Sequence, residues 1–294
     1  MSKARPIIAN RIYLVQRRCS ERRFFLKPSD NTNNAFWYCL GFALKESGVE
    51  LLSAVAMSNH HHVVVRDVDG KLPEFLHLFH LLLARCQNAY LGRWESFWAG
   101  EQTSFVELVN DEDVIAKCAY ALANPVSAGL VDTAAHWPGA SSWSAMQTSR
   151  SISATRPHYF FRDGMPEKID IDLAGLNGMH QRDFANAVSN EVRAIEERVG
   201  SERLAAGKRT LGRRAVLKQS HFAKPSSHEP RRTLSPRVAC RSKWHRIEAL
   251  ARNKTFLSEY CEARQNWLAG KKPSFPVGTW ALRHLAATRA PPPA

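Results

Sequence analysis

LLSAVAM at residues 51–57 and HHHVVVR at residues 60–66 are two apolar runs, separated only by the polar residues 58–59. Two such runs joined by a two-residue turn predict a β-hairpin. Helical patterns flank the hairpin on both sides. One helix is predicted over residues 35–47, with a glycine just past its end, and another over residues 73–90, with a proline in its first turn.

Two further strands and a third helix are predicted farther out along the chain. Arg11–Arg18 and Thr103–Val109 have strand character, and Asn110 then stands as an N-cap before three acidic residues that suit the positive end of a helix dipole. This helix is predicted to end near Asn124, because the residue before a proline is disfavoured in the α region. The order β-α-β-β-α-β-α predicts an α+β fold, in which helices cover a small antiparallel sheet of the split βαβ type.

Three adjacent histidines begin the second strand of the hairpin. Side chains alternate between the faces of a strand, so His60 and His62 are predicted to share one face and His61 to lie on the other. Two imidazoles on one face can bind a divalent cation, but two ligands do not complete a metal site. The residues alone also allow a second interpretation, in which the histidines are half-buried hydrogen-bonding groups.

The third predicted helix carries a candidate nucleophile. Tyr120 and Asn124 are four residues apart, and Lys117 lies one turn before Tyr120. A phenol, an amide and an amine so placed could supply a nucleophile, a metal-binding oxygen and a cation for a phosphate. Tyr120 could equally be a packing residue of an amphipathic helix. Tyr90 is a rival nucleophile, although no matching amide accompanies it.

Positive charge is concentrated in the second half of the 294-residue chain. Residues 1–150 carry 15 Lys and Arg against 14 Asp and Glu, whereas residues 151–294 carry 26 against 13. This imbalance indicates a polyanion-binding unit beside a near-neutral folded unit. Nucleic acid is the first candidate partner. An anionic membrane surface is disfavoured, because no basic helix shows a wide apolar face.

The predicted domain organisation follows the same division. Residues 1–146 are predicted to form the α+β domain and residues 147–180 a linker. Residues 181–294 are predicted to form a basic, mainly α-helical, nucleic-acid-binding region with a disordered tail. The sequence contains no run of 18 apolar residues, so no transmembrane span is predicted. The six scattered cysteines favour a reducing, cytoplasmic location.

Seven cations and one tryptophan of the basic region are the candidate DNA-binding residues. Lysine and arginine side chains can contact phosphates, and an exposed indole can stack on unpaired bases. An ordinary solvated face is the alternative interpretation. The candidates are Arg209, Arg213, Arg214, Lys218, Arg241, Lys243, Trp244 and Arg246.

Two motifs together resemble a known family. MSNHHHV at residues 57–63 is followed about sixty residues later by YALANPVSAGLV at residues 120–131. This pairing resembles the HUH single-strand endonucleases and, among them, the REP-associated tyrosine transposases, over about residues 6–145. His61 stands where the family usually has an apolar residue, and Ser58 where proline is common. The resemblance implies a ferredoxin-like HUH fold.

The resemblance also implies roles for the motif residues. His60, His62 and Asn124 would ligate Mg²⁺ or Mn²⁺, and Tyr120 would attack a phosphate of single-stranded or hairpin DNA to form a 5′-phosphotyrosine and a free 3′-OH. Lys117 is a further catalytic candidate that the resemblance does not include, chosen only because its cation lies one turn from Tyr120. A DNA transposase would be nucleoid-associated in the cytoplasm. The choice between a monomer and a homodimer stays open.

Two other functions stay open at this point. A domesticated DNA-binding regulator would keep the fold and the basic region without cleaving DNA, although it would not need to retain all four motif residues. A metal-dependent hydrolase of another type would need carboxylate ligands. Asp67 and Asp69 are the nearest candidates, in a turn-like segment beyond the strand.

Overall fold

The computed structural model describes residues 4–227 and 236–280, and the predicted disordered tail lies outside these ranges. The strands are β1 (Arg11–Arg18), β2 (Glu50–Met57), β3 (His60–Asp67), β4 (Ser104–Leu108), β5 (Ile152–Thr155), β6 (Lys168–Ile171) and β7 (Val238–Ala239). The helices are α1 (Asp30–Ser47), α2 (Leu72–Tyr90), α3 (Asp111–Leu122), α4 (Asn124–Ser127), α5 (Trp143–Thr148), α6 (Gln181–Ala205), α7 (Arg213–Lys218) and α8 (Lys243–Leu268). None of the described helices is long and apolar enough to cross a membrane.

The central sheet has the strand order β2-β3-β1-β4-β7. The first four strands pair antiparallel, which confirms the predicted α+β class, and their order fits the split βαβ type. The fifth strand, β7, pairs parallel to β4, so the sheet is mixed rather than purely antiparallel. A two-residue strand has no periodic pattern of its own, and its pairing is therefore invisible in the sequence.

Helices cover both faces of this sheet and form two apolar cores. On one face, α1 and α2 bury residues such as Phe36 and Phe79 against Val63 and Val65 of β3. On the other face, α3 and α6 bury a second cluster that includes Val64. Alternate side chains of β3 therefore contribute to the two cores, whereas His60 and His62 at the start of the strand belong to neither apolar cluster.

Helix α1 begins five residues earlier than its predicted start. Ser29 is its N-cap, and the side chain of Ser29 accepts a hydrogen bond from the backbone N–H of Thr32 at 3.2 Å. The polar residues predicted as a loop therefore form the first turn and a half. The helix ends at the glycine expected from the sequence, because Gly48 adopts a left-handed conformation with φ of 72°.

The predicted linker, residues 147–180, contains ordered structure. β5 and β6 form a second, two-stranded sheet, which packs on α1. A Cβ atom at Gly41 of α1 would lie 2.6 Å from a side-chain carbon of Ile169, so only glycine permits this close approach. The linker prediction was wrong, because serine and proline content does not reveal a short hairpin.

The predicted basic region packs against the first domain. Phe184 and Val188 of α6 are buried in the same cluster as α3 residues. Farther along, Arg252 of α8 donates a hydrogen bond to the buried Glu107 of β4 at 2.6 Å, and Arg11 of β1 lies 3.1 Å from the same carboxylate. The C-terminal helices are thus attached to the α+β sheet by an apolar and an ionic contact.

The middle histidine of the triplet lies on the helix-packed face, as predicted. His61 and His80 of α2 are buried, and their Nε2 atoms lie 3.0 Å apart, within hydrogen-bond distance. Burial, with a smaller contribution from Arg17, holds the pKa of His80 well below its ordinary value. His80 is therefore neutral in the folded protein.

We expect this neutral histidine to make stability dependent on pH. As the pH falls through about 6.5, the unfolded chain binds a proton at His80 that the folded chain does not, so this residue lowers the unfolding free energy by about 1.4 kcal/mol in total between pH 7.5 and 5.5. Denaturant unfolding at pH 7.5, 6.5 and 5.5 should show a shallower fall for His80→Gln than for the wild type. The exposed-site variant His77→Gln should keep the wild-type slope, and an unchanged slope in His80→Gln would contradict the assignment.

Candidate active site

A cleft of about 830 Å³ lies on the sheet face opposite α1 and α2, beside α3 and α4. It brings together residues from both sequence motifs, which are separated by about sixty positions. All five residues predicted to act in catalysis or metal binding line it: His60, His62, Lys117, Tyr120 and Asn124. The structure therefore places the two motifs in one site.

The strand register explains how the two histidines reach the cleft. His60 is paired with Arg18 of β1, and His62 with Gln16, so these four side chains share one face of the sheet. Gln16 is in turn paired with Ser104 of β4. The first two β3 residues on this face are polar, and the next one, Val64, is buried in the apolar cluster with α3.

The histidine pair has the geometry and chemistry of a partial metal site. The rings of His60 and His62 have centroids 4.9 Å apart. Nδ1–H of His60 donates to Oδ1 of Asn59 at 2.7 Å, a tautomer that leaves the lone pair on Nε2. His62 is buried, and neither of its ring nitrogens has a hydrogen-bond partner among the described residues.

Burial also sets the protonation state of this second histidine. It holds the pKa of His62 well below the ordinary value, and the nearby His60, His61 and Lys117 lower it further. His62 is therefore neutral, which is the form that ligates metals. A buried polar group without a partner is costly. A bound cation would satisfy it, so the residues present fit a metal.

Tyr120 faces the cleft from α3. The apolar side of this helix, including Cys118 and Leu122, is buried against the sheet, while Tyr120 is 41% exposed. Its ring centroid lies 5.5 Å from that of His62, with the rings nearly perpendicular. Nζ of Lys117 lies 5.3 Å from the centre of the Tyr120 ring. The phenol is thus accessible and next to the histidine pair.

Asn124 reaches the cleft because the chain turns after α3. Helix α3 ends at Leu122, and Asn124 begins the short helix α4, with Pro125 in its first turn. Pro125 and Val126 are buried and anchor this turn. The observed end of α3 is two residues from the predicted one. The bend presents an amide to the same cleft as the two imidazoles.

The donor set around the cleft is unusual in its composition. In the part of the chain that the structure describes, no group of three or more His, Cys, Asp or Glu side chains could hold a metal. Asn124, the third ligand that the resemblance implies, lines the same cleft. The carboxylate of Glu101 also lines the cleft and lies 3.7 Å from Arg18.

Several cleft residues escaped the sequence analysis. Gln16, Arg18 and Glu101 line the cleft, together with further arginines from the near-neutral half of the chain. The alternation of β1 puts Gln16 and Arg18 on one face, but only the pairing with β3 shows that this face carries His60 and His62. The arginines lining the cleft are Arg5, Arg17, Arg18 and Arg22.

The candidate DNA-binding residues are all exposed and lie in two places. Arg209, Arg213, Arg214 and Lys218 are in and around α7, and Leu211 just before α7 is hydrogen-bonded to Gly129 beside α4. The second group follows β7, whose Ala239 lines the cleft. Its members are Arg241, Lys243, Trp244 and Arg246.

The rival candidates lie elsewhere. Tyr90 does not line the cleft and contacts Tyr159 and His221 instead. Asp67, the carboxylate considered for a different hydrolase, is buried on the opposite face of β3. It accepts hydrogen bonds from the backbone N–H groups of Lys71 and Leu72 at 2.7 and 3.0 Å. Its position at the start of α2 is that of a structural cap.

Asp67→Ala should therefore destabilise the fold and leave the cleft intact. Loss of two hydrogen bonds at a buried helix start should lower the unfolding free energy by about 2 kcal/mol. Chemical denaturation measures this change. The exposed neighbour gives a matched control, since Asp69→Ala should change stability by less than about 0.5 kcal/mol. Equal stability of the two variants would contradict the capping role.

Comparison with known proteins gives similarity to two solved structures. One is a REP-associated tyrosine transposase bound to a REP hairpin, with 15% identity and a TM-score of 0.42 over 61% of this chain and 95% of the other. The second is a candidate transposase from Deinococcus radiodurans, with 17% identity and a TM-score of 0.30 over 36% and 85%. No protein-family model and no curated protein matches the chain. Similarity at this level carries no inference about activity, which has to come from the cleft itself.

Proposed function

We propose that this protein is a metal-dependent transposase, which cleaves and rejoins single-stranded DNA, with hairpin-forming repeats as its targets. One observation carries the proposal: the centroid of the accessible Tyr120 ring lies 5.5 Å from that of the buried His62, whose ring nitrogens have no hydrogen-bond partner in the described part of the chain. Both line the same cleft as His60 and Asn124. A tyrosine that serves only in packing, and histidines that are adjacent by chance, would not be expected to line the same open cleft.

The chemistry follows from the groups in the cleft. The hydroxyl oxygen of Tyr120 bonds to phosphorus, and the bond from phosphorus to the 3′ oxygen breaks. The phenolic proton passes to solvent, and the departing 3′ oxygen takes up a proton. The downstream strand stays on Tyr120 through its 5′ phosphate. Because this phosphodiester is conserved, a second 3′-OH can reverse the step and join strands without a nucleotide cofactor.

The remaining residues orient the phosphate and balance its charge. His60, His62 and Asn124 would hold Mg²⁺ or Mn²⁺, which when bound polarises the scissile phosphate as a Lewis acid. Lys117 lies beside the Tyr120 ring, where its ammonium group can attract a phosphate oxygen. The arginines of the cleft add positive charge that favours an incoming DNA strand.

A labelled oligonucleotide tests the proposal. Single-stranded DNA that contains a hairpin is labelled at either its 5′ or its 3′ end and incubated with the protein and Mn²⁺. We expect a denaturation-resistant adduct that carries only the 3′ label, because the downstream fragment stays on the protein. Binding without an adduct would instead support the DNA-binding regulator. Cleavage without an adduct would support a hydrolase.

A further inference from the structure

Residues 208–227, here called the strap, form a segment of one charge sign. The strap contains six cations and no aspartate or glutamate, and it includes α7. Within the described ranges, none of these cations is paired with a carboxylate, so their charge is available to an external polyanion. They are Lys208, Arg209, Arg213, Arg214, Lys218 and Lys224.

One end of the strap is fixed beside the helix that presents Asn124. The backbone N–H groups of Leu211 and Gly212 donate to the carbonyls of Gly129 and Leu130 at 2.9 and 3.0 Å. Val216 is completely buried, in a cluster that includes Met57 and Val126. The strap is thus a docked part of the fold and not a loose tail.

The other end is fixed beside the histidine pair. The backbone N–H of Phe24 donates to the carbonyl of Ala223 at 2.9 Å, and Nη1 of Arg22 donates to the carbonyl of Ser227 at 2.5 Å. Arg22 lines the cleft, and its own carbonyl accepts from the amide of Asn59, next to His60. The strap is therefore attached near Asn124 at one end and near His60 at the other, while its own residues do not line the cleft.

Exposed aromatic residues accompany these cations. Phe222 of the strap is 48% exposed, and its ring centroid lies 6.3 Å from that of Phe25. The guanidinium of Arg93 lies 3.8 Å from the centre of the same Phe25 ring. The next residue, Trp94, is 91% exposed. Cations interleaved with accessible aromatic rings are the pattern of surfaces that bind unpaired nucleotides.

We propose that the strap, with Trp94, binds the single-stranded DNA that flanks the cleaved phosphate. This inference rests on the proposed function, which supplies the DNA. Its cations would contact backbone phosphates, and Phe222 and Trp94 would stack on bases. Stacking of this kind needs bases outside a duplex, so the occupant is the unpaired flank and not the stem of a hairpin.

The test compares two triple variants that remove equal charge. Arg213→Ala, Arg214→Ala and Lys218→Ala together alter the strap, whereas Arg182→Ala, Arg193→Ala and Arg198→Ala alter α6, away from the cleft. All six side chains are exposed, so both proteins should fold, which circular dichroism verifies. Fluorescence anisotropy with a hairpin oligonucleotide that carries an unpaired flank measures affinity over a range of salt concentrations.

The strap variant should bind the flanked hairpin at least about tenfold more weakly at 0.1 M salt, with a salt slope reduced by about 2. The α6 variant should match the wild type. On a blunt hairpin without a flank, the strap variant and the wild type should bind with equal affinity. Equal affinity of strap variant and wild type for the flanked hairpin would overturn the inference, as would an equal loss on the blunt hairpin.

Covalent adduct formation in the same samples separates this inference from the proposed function. If the wild type forms the adduct but the strap substitutions do not change DNA affinity, only the inference about the strap is refuted. A wild type that binds DNA but forms no adduct would refute the proposed cleavage, and the affinity comparison would still decide the strap.

Discussion

Tyr120→Phe should form no covalent DNA adduct and should cleave at least about 10³-fold more slowly than the wild type, while binding DNA equally well. The substitution removes only the oxygen that attacks phosphorus. The ring that lies beside His62 and Lys117 is kept, so the cleft should retain its shape. Denaturing gels measure the adduct, a time course measures cleavage, and anisotropy measures binding.

Tyr90→Phe is the matched control for this substitution. Tyr90 is the other tyrosine considered as a nucleophile, but it lies outside the cleft and contacts Tyr159 and His221. This variant should keep both the adduct and the cleavage rate. If Tyr120→Phe kept the adduct, the nucleophile would lie elsewhere and the proposed mechanism would fail.

Replacement of the histidine pair should remove metal binding and cleavage together. We expect His60→Ala and His62→Ala each to weaken Mn²⁺ binding by more than about 100-fold, since loss even of a group that only supports a ligand costs 10- to 100-fold. Calorimetric titration of the metal into the protein, without DNA, measures this directly. Cleavage at fixed Mn²⁺ should fall in parallel.

Two features of the chain make this experiment selective. His60 is only partly buried, so His60→Ala tests metal binding without opening a cavity in the core. The exposed His77 on α2 supplies a histidine control, and His77→Ala should bind Mn²⁺ as the wild type does. Unchanged Mn²⁺ affinity in the double variant His60→Ala/His62→Ala would exclude the pair as ligands.

Much of the fold was predictable because its elements are locally encoded. The period-2 alternation of β3 separates His60 and His62 from His61, and the structure places His61 in the core beside His80. The acidic first turn of α3 and the proline after Asn124 mark the two ends of that helix to within two residues. Where local preferences and packing agree, sequence patterns suffice.

The errors have a common physical cause. β7 and the β5–β6 sheet are short strands whose stability comes from partners far away in the sequence, such as β4 and α1. Glycine at position 41 has no helical advantage, and its purpose becomes visible only when Ile169 packs against it. The strap likewise has a clear charge in the sequence but no indication of its route.

Residue types, alternation and helix spacing made the two imidazoles, the phenol and the amide candidates, because each depends on the backbone geometry of a single element. The resemblance of the two motifs to a known family joined them into one expected site, and the long-range pairing shows that they line one cleft. The register of β1 against β3 adds Gln16 and Arg18 to the same face, and the packing of α3 on the sheet turns Tyr120 toward His62. Contacts of this kind arise from chain closure over many residues, which no local pattern encodes.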